Sequence, residues 1–313
     1  MYNKSIRPIN ITTDLKAIAD LLYLCFADSM DADGEKYINY LRRVSQPSFL
    51  PGIAKRKPQN NPLPGEGFVY EEKGKIVGNI TLSPIQFQRE CVYLISNVAV
   101  DPEHRGKQIA TKLTQTALDY IESKGIRQTW LQVKGENQAA INLYEHLGFS
   151  TFMVRTTWGG EKMYSDNRME SLNPTRLRRR TDWEIQKELF EMLHPPELAA
   201  SYGFEIGAFR PTFKNIIKDF IRNRIRIHWA TEIEGQSGFA SYDLFPYQSY
   251  TNLWLAIPEK DADAFIATFI PFLKKRLGTE IRVNFPVDIG KESFLQSGMQ
   301  ELDTLVWKRK YLT

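Results

Sequence analysis

Asn97-Val-Ala-Val-Asp-Pro-Glu-His-Arg-Gly-Lys-Gln-Ile-Ala-Thr111 is the stretch on which the reading of this chain turns. It opens at the end of a β-prone run, Leu94 to Val100, then passes a turn at Asp101-Pro102 and a basic, glycine-containing corner. Beyond the corner Ile109, Leu113, Ala117, Tyr120 and Ile121 recur at three- and four-residue spacing, the period of an amphipathic helix. The order is strand, tight loop, helix. The amides of a first helical turn have no partner inside the helix, and with the macrodipole they favour an anion there. Arg105 and Lys107 add positive charge, while Gly106 and Ala110 are small enough to let a phosphate reach the backbone. These residues describe a pyrophosphate cradle.

Composition sets the outer limits. A chain of 313 residues has room for two domains. With 42% hydrophobic and 25% charged residues it reads as an ordinary globular protein. A net charge of +4, from 41 basic and 37 acidic residues, is too small to imply nucleic acid or an anionic membrane as partner. It argues mildly for phosphate-bearing ligands. Cys25 and Cys91 cannot make a disulfide framework and read as small buried apolar residues. Met1-Tyr-Asn-Lys-Ser-Ile-Arg has no apolar core of a signal peptide, and Ala264 to Leu273 is too short to span a bilayer and contains Pro271. The expectation is a cytoplasmic protein. His104, His146, His194 and His228 lack the spacing of a metal site, so no metal is expected.

Taken in order, Ile6 to Ile9 reads as a strand, Asp14 to Phe26 and Glu35 to Val44 as amphipathic helices. Pro47 to Gly67 holds five prolines and three glycines without periodicity, and reads either as a mobile lid or as a loop with no role. Phe68 to Glu71 and Ile76 to Leu82 form a hairpin around Lys73-Gly74-Lys75. After the cradle helix, ended by Gly125, come a strand Thr129 to Val133, a helix capped by Asn137 and stopped by Gly148, and a strand Phe149 to Thr157.

Two runs carry a resemblance. Arg105-Gly106-Lys107-Gln108-Ile109-Ala110, after a strand ending Val-Ala-Val-x-Pro, resembles the acyl-CoA signature Arg/Gln-x-x-Gly-x-Gly/Ala of the GCN5-related N-acetyltransferases. Gln108 stands where that family usually has glycine. Asn137-Gln-Ala-Ala140-Ile-Asn-Leu-Tyr144-Glu-His-Leu-Gly148-Phe149 resembles the second signature, Asn-x-x-Ala-x-x-x-Tyr-x-x-x-Gly-Phe, at every marked position. Two signatures in order are far more specific than either alone. The resemblance covers roughly residues 1 to 158. It implies an α/β (α+β) fold, a mixed, mostly antiparallel twisted sheet flanked by helices. It also implies acetyl-CoA as co-substrate and a primary amine of a small molecule or peptide as acceptor.

The second half repeats the order. Helices at Asp182 to Leu193 and Thr212 to Arg222 precede a hairpin of Ile227 to Ile233 and Gly238 to Leu244. Asn252-Leu-Trp-Leu-Ala-Ile-Pro258-Glu259 mirrors Asn97-Val-Ala-Val-Asp-Pro102-Glu103, and a helix Asp261 to Leu277, a strand Glu280 to Asn284, a short helix and a last strand follow. Gly238 lies 160 residues after Gly78, Pro258 156 after Pro102 and Gly298 150 after Gly148, a slow drift that short deletions produce. The expected division is therefore 1–160, a linker 161–175 and 176–313. The basic run Arg176 to Arg180 reads as a solvated strand end. In the second copy Lys260-Asp-Ala-Asp-Ala-Phe265 replaces the cradle, and Phe294 falls where Tyr144 stands. One active site is expected, in the first half, as in tandem members of that family with one degenerate copy.

The chemistry expected there is attack of a neutral amine on a thioester. Backbone amides of Val98, Ala99 and Val100 would hold the thioester oxygen. The cradle residues Arg105, Gly106, Lys107, Gln108, Ile109, Ala110 and Thr111 would hold the pyrophosphate, with Asn137 both capping its helix and touching the cofactor. Tyr144 alone reads as core, part of an apolar stripe with Ala140, Ile141 and Leu147. The resemblance makes it the acid that protonates the leaving thiolate. The base is unassigned; Glu71, Glu72 and Glu103 qualify by neighbourhood only. The alternative is a CoA-binding sensor without transfer activity. Monomer and homodimer both stay open.

Overall fold

The computed structural model describes residues 5–30, 32–46, 66–160, 174–202, 206–222, 224–244 and 250–312. Most of the loop expected from Pro47 to Gly67 (residues 47–65) and most of the expected linker (161–173) lie outside them.

β1 (Ile6–Pro8) leads to α1 (Leu15–Phe26), which buries Leu15, Ile18, Ala19, Leu21 and Leu22 at the expected spacing. α2 (Ala32–Val44) adds Ile38, Leu41 and Val44 to the same apolar cluster. β2 (Glu66–Glu72) and β3 (Lys75–Phe87) form the expected hairpin, with Lys73 and Gly74 at φ 51° and 78° in its turn. β4 (Glu90–Val100) makes a second hairpin with β3 that the sequence did not announce. Residues 83–87 pair with 90–94 through a turn at Gln88, φ 55°, where no glycine or Asn-Gly marks the corner. α3 (Ile109–Ser123), β5 (Gln128–Lys134), α4 (Gln138–His146) and β6 (Ser150–Gly160) follow as read, with Gly125 and Gly148 at φ 72° and 83° closing the two helices.

In the second half, β7 (Arg176–Leu177), α5 (Trp183–Leu193), a short helix α6 (Pro196–Tyr202) and α7 (Phe213–Ile221) precede the hairpin of β8 (Ile225–Ile233) and β9 (Gln236–Leu244). Then come β10 (Tyr250–Ala256), α8 (Ala262–Arg276), β11 (Glu280–Pro286), α9 (Lys291–Gln296) and β12 (Gln300–Tyr311).

The chain forms two compact units, but not at the expected cut. One comprises the residues up to Val133, Asn137–Phe152 and the chain from Trp307 on; the other comprises Lys134–Glu136 and Met153–Val306. Strand order is β1-β2-β3-β4-β5 followed by the Trp307–Tyr311 end of β12 in the first unit, and β7-β8-β9-β10-β11 followed by Met153–Gly160 of β6 in the second, to which residues 300–306 of β12 also belong. In each unit, then, a strand segment from the other half of the sequence extends the sheet. Gly159 and Gly160, at the expected boundary, pair with Arg282 and Ile281 as the end of β6. The expected boundary at 160 is corrected for a physical reason: a period of two identifies a strand but not the neighbour it hydrogen-bonds to.

Duplication is visible in the contacts. Arg7 grips Asp14 with two nitrogens, at 2.6 and 3.1 Å, and Arg176 grips Asp182 in the same way, at 2.6 and 3.2 Å. A Cβ on Gly78 would lie 2.8 Å from Ile109, and one on Gly238 2.3 Å from Phe265. Each glycine lets the long helix of its own unit settle onto the sheet. The basic run after β7 is only partly solvated. Arg178 is half-buried, donating to Gln186 and to the Phe209 carbonyl, and burial pushes its pKa down to about 10.

Candidate active site

β4 and β5 are parallel neighbours, so α3, which follows β4, and α4, which follows β5, both begin at the same end of that pair. Ligands gather at such carboxyl ends of parallel strands. The ladder joining β4 to β5 covers only Tyr93↔Thr129, Leu94↔Trp130 and Ile95↔Leu131, although both strands run on. Past Ile95 the two part. On the other side of β4, Thr81 pairs with Ser96 and Asn79 with Ala99, so Asn97 and Val98 together oppose the single Ile80. This is a β-bulge, with Asn97 at φ 52°, a conformation asparagine tolerates better than most residues. It bends the segment Val98, Ala99 and Val100 out of register just where it leaves β5.

A polar cluster lies under the bulge, and sequence reasoning missed it. Asn79, fully buried, donates to the Asn97 carbonyl at 2.8 Å while its own Oδ1 has no partner. Asn97 reaches the Tyr37 hydroxyl and Thr81 Oγ1, each at 3.5 Å. Burial raises the Tyr37 phenol to about 12, so it stays protonated. The available signal was an asparagine, Asn79, inside an otherwise apolar run, a placement that strand propensity disfavours.

At the corner, Asp101 accepts from the Glu103 amide at 3.1 Å and from Lys75 at 2.9 Å, and the lysine holds its carboxyl below the usual range. His104, the last residue of a 3-10 turn Pro102–His104, lies between Glu72 (3.0 Å) and Asp101 (3.5 Å). Gly106 and Gln108 adopt φ 77° and 58°, and Gln108 is the residue immediately before α3. Lys112 is the first whose amide reaches back, to the Gln108 carbonyl at 3.0 Å. The amides of Gly106, Lys107, Gln108, Ile109, Ala110 and Thr111 donate to nothing among the described residues. Arg105 and Lys107 are exposed beside them without a carboxylate partner among those residues, and Arg105 lies near the Cys25 thiol, which donates to the Val100 carbonyl. Six free amides, two cations and a left-handed corner fit a diphosphate. Gln108, though not glycine, is solvent-exposed and adopts the left-handed turn.

Asn137 caps α4, its Oδ1 accepting from the Ala140 amide at 3.1 Å. Tyr144 on that helix is only 5% exposed and packs edge-on against Phe149 at 5.9 Å. Burial raises its phenol to about 12, and its hydroxyl has no partner among the described residues. It is at once the core residue the apolar stripe predicted and a protonated donor with a free hydroxyl. Of the base candidates, Glu71 is paired with Arg7 and Glu72 with His104, and Glu103 is exposed on the corner.

The second unit differs at each of these points. β10 pairs with β9 without a bulge, and its parallel ladder with β11 ends at Leu253↔Val283. Just past that pair, the Leu255 carbonyl is taken by His194 at 2.7 Å and the Asn284 carbonyl by Arg155 at 2.8 Å. Asp263, in the first turn of α8, accepts from Ser293 at 2.6 Å, and Phe294 is fully buried, stacked on Trp158. Among the described residues no group of histidine, cysteine and carboxylate side chains is placed to hold a metal ion.

Residues 36–149 match the model of the acetyltransferase (GNAT) family. The [ribosomal protein bS18]-alanine N-acetyltransferase of Escherichia coli (strain K12) is 37% identical over 62 residues, 20% of this chain and 42% of that protein. The mycothiol acetyltransferase of Amycolatopsis mediterranei (strain U-32) is 34% identical over 97 residues, 29% of this chain and 32% of that one. The chain thus spans less than half the length of either relative. Among solved structures, a GCN5-related N-acetyltransferase from Sphaerobacter thermophilus shares the fold across 99% of this chain and 97% of its own, with a TM-score of 0.60 and 13% identity.

Proposed function

We propose, starting from the match of residues 36–149 to the acetyltransferase (GNAT) family, that this protein transfers an acetyl group from acetyl-CoA to a primary amine, at a single site in the first unit. The observation that carries the reading is the run of six amides from Gly106 to Thr111, unpartnered among the described residues, beside the cations Arg105 and Lys107 at the start of α3. Those amides, with Arg105 and Lys107, hold the diphosphate. The Val98 to Val100 segment, freed from β5, offers backbone groups to the pantetheine arm and an amide to the thioester oxygen, where fixed dipoles are most effective. Acetyl-CoA supplies the activated acyl group. Tyr144 donates the proton that leaves with sulfur, and the acceptor arrives as the free amine. The relatives' names span a ribosomal-protein alanine and mycothiol, so the acceptor class stays an amine of a peptide or a small molecule.

The engagement of Glu71 and Glu72 in ion pairs favours a second reading, a CoA-binding module without transfer activity. Calorimetry with coenzyme A and thiol release over an amine panel separate the two. Heat together with amine-dependent thiol release supports transfer; heat without it supports the sensor. No heat at all removes both. Arg105→Glu should weaken binding by about tenfold, less at high salt, because an exposed cation is screened.

A further inference from the structure

We infer that α7 is a docking helix for an anionic lipid surface. Phe213, Ile216, Ile217, Phe220 and Ile221 recur at the spacing of one helical face and occupy an arc of about 140°. An ordinary surface helix would turn that arc inward. Here no residue of α7 is buried, and Phe213, Phe220 and Ile221 are 75%, 85% and 76% exposed. The helix is anchored instead by its polar side. Asn215 donates to the Gly207 and Arg210 carbonyls at 2.8 and 2.9 Å, Asp219 pairs with Arg226 at 3.2 Å, and Thr212 caps the start. Fixing the polar face to the protein holds the apolar face outward, and Ile225 at the start of β8, also exposed, extends it.

Charge selects the occupant. Lys214 and Lys218 follow one flank of this face and Arg210 and Arg222 lie before and after the helix, with no carboxylate partner among the described residues, while Asp219 is neutralised by Arg226. A second copy of the chain apposed through the same face would bring two such cation sets together. An anionic bilayer neutralises them and takes the phenylalanines and isoleucines into the boundary between headgroups and acyl chains, the binding mode of a basic amphipathic helix. The near-balanced charge of the whole chain concealed this local excess. No helix among the described residues is long and apolar enough to cross a membrane.

The test is flotation of the full chain with vesicles of phosphatidylcholine alone and of equimolar phosphatidylcholine and phosphatidylglycerol. Binding only to the anionic vesicles is expected, reduced by salt and abolished by F220S/I221S. K214E/K218E should lower it by roughly tenfold or more. Both pairs lie outside the core, so the thermal transition and acetyl-CoA binding should be unchanged. Absence of binding to anionic vesicles, or binding that F220S/I221S leaves intact, overturns the assignment. So does a concentration-dependent dimer, seen in sedimentation without vesicle binding, that F220S/I221S dissolves; that outcome assigns the face to a second copy.

Discussion

His194 donates from Nε2 to the Leu255 carbonyl at 2.7 Å, while its Nδ1 faces an Arg155 nitrogen at 3.3 Å. A carbonyl can only accept and a guanidinium can only donate, so the imidazole is neutral with its proton on Nε2. Burial and the arginine push its pKa down to about 3. Partial burial and the positive charges of Arg178 and Arg226 likewise hold the half-buried His228 at about 3. In the unfolded chain both titrate near 6.5. Below that pH the unfolded state takes protons that the native state refuses, so stability complete above about 6.5 is lost as pH falls toward 3. The slope is at most about 1.4 kcal/mol per pH unit for each histidine. Urea unfolding should show a lower midpoint at pH 5 than at pH 7, and His194→Gln should flatten the difference. Equal midpoints in the wild-type chain would refute the assignment.

Tyr144 is the sharpest test of chemistry. Its phenol is protonated throughout the physiological range and its hydroxyl is unpartnered. Tyr144→Phe removes one oxygen from an otherwise unchanged packing site against Phe149. We expect kcat to fall by about a hundredfold, the lower end for a general acid, with coenzyme A affinity within a factor of about two. Unchanged turnover would return Tyr144 to a purely structural role.

What the sequence disclosed and what it hid follow one physical line. Period and punctuation placed α1, α3, α4, β5 and the β2–β3 hairpin because Leu15, Ile109, Gly125, Asn137 and Gly148 act through local rules. The bulge at Asn97 and the cluster of Asn79, Thr81 and Tyr37 depend on which strands meet, and no local rule states that. The divergence of the second unit from the first was legible in Asp263 and Phe294. The capping of its Leu255 and Asn284 carbonyls by His194 and Arg155 was not, since those residues come from the end of α5 and from β6 and meet only in three dimensions. The outward face of α7 was hidden too, because periodicity fixes which residues share a face but not whether that face points in.

Gln108 adopts a left-handed conformation that costs a non-glycine residue on the order of 1 kcal/mol. Gln108→Gly removes that strain but gives the unfolded chain more freedom, about 0.5–1 kcal/mol in the opposite direction. Global stability should therefore move little. With its side chain gone, the corner offers a diphosphate closer access to the amides, and coenzyme A affinity should stay level or rise by a few-fold in calorimetry. A marked loss of affinity would show that the Gln108 side chain itself contacts the ligand.

The exchange of strand segments predicts that neither half of the sequence folds alone. The first unit takes Trp307 and Lys308, both fully buried, from β12. Lys308 donates to Glu145 at 2.8 Å and to Thr151 at 3.0 Å, and Lys310 donates to the Leu147 carbonyl at 2.7 Å at the end of α4. Those lysines brace the helix that carries Tyr144, and cations near a helix C-terminus also meet the dipole favourably. A chain of residues 1–160 leaves β5 as an exposed edge without its neighbour, an invitation to aggregate. We expect such a chain to be insoluble or to lack a cooperative transition, and co-expression with residues 174–313 to restore both solubility and coenzyme A binding. Lys310→Ala in the full chain should be milder, costing about 1 kcal/mol for the lost hydrogen bond and lowering kcat more than it raises the Kd for coenzyme A. If residues 1–160 alone were monomeric, cooperative and bound coenzyme A as the full chain does, β12 would be dispensable to the first unit and the exchange would carry no weight in its stability.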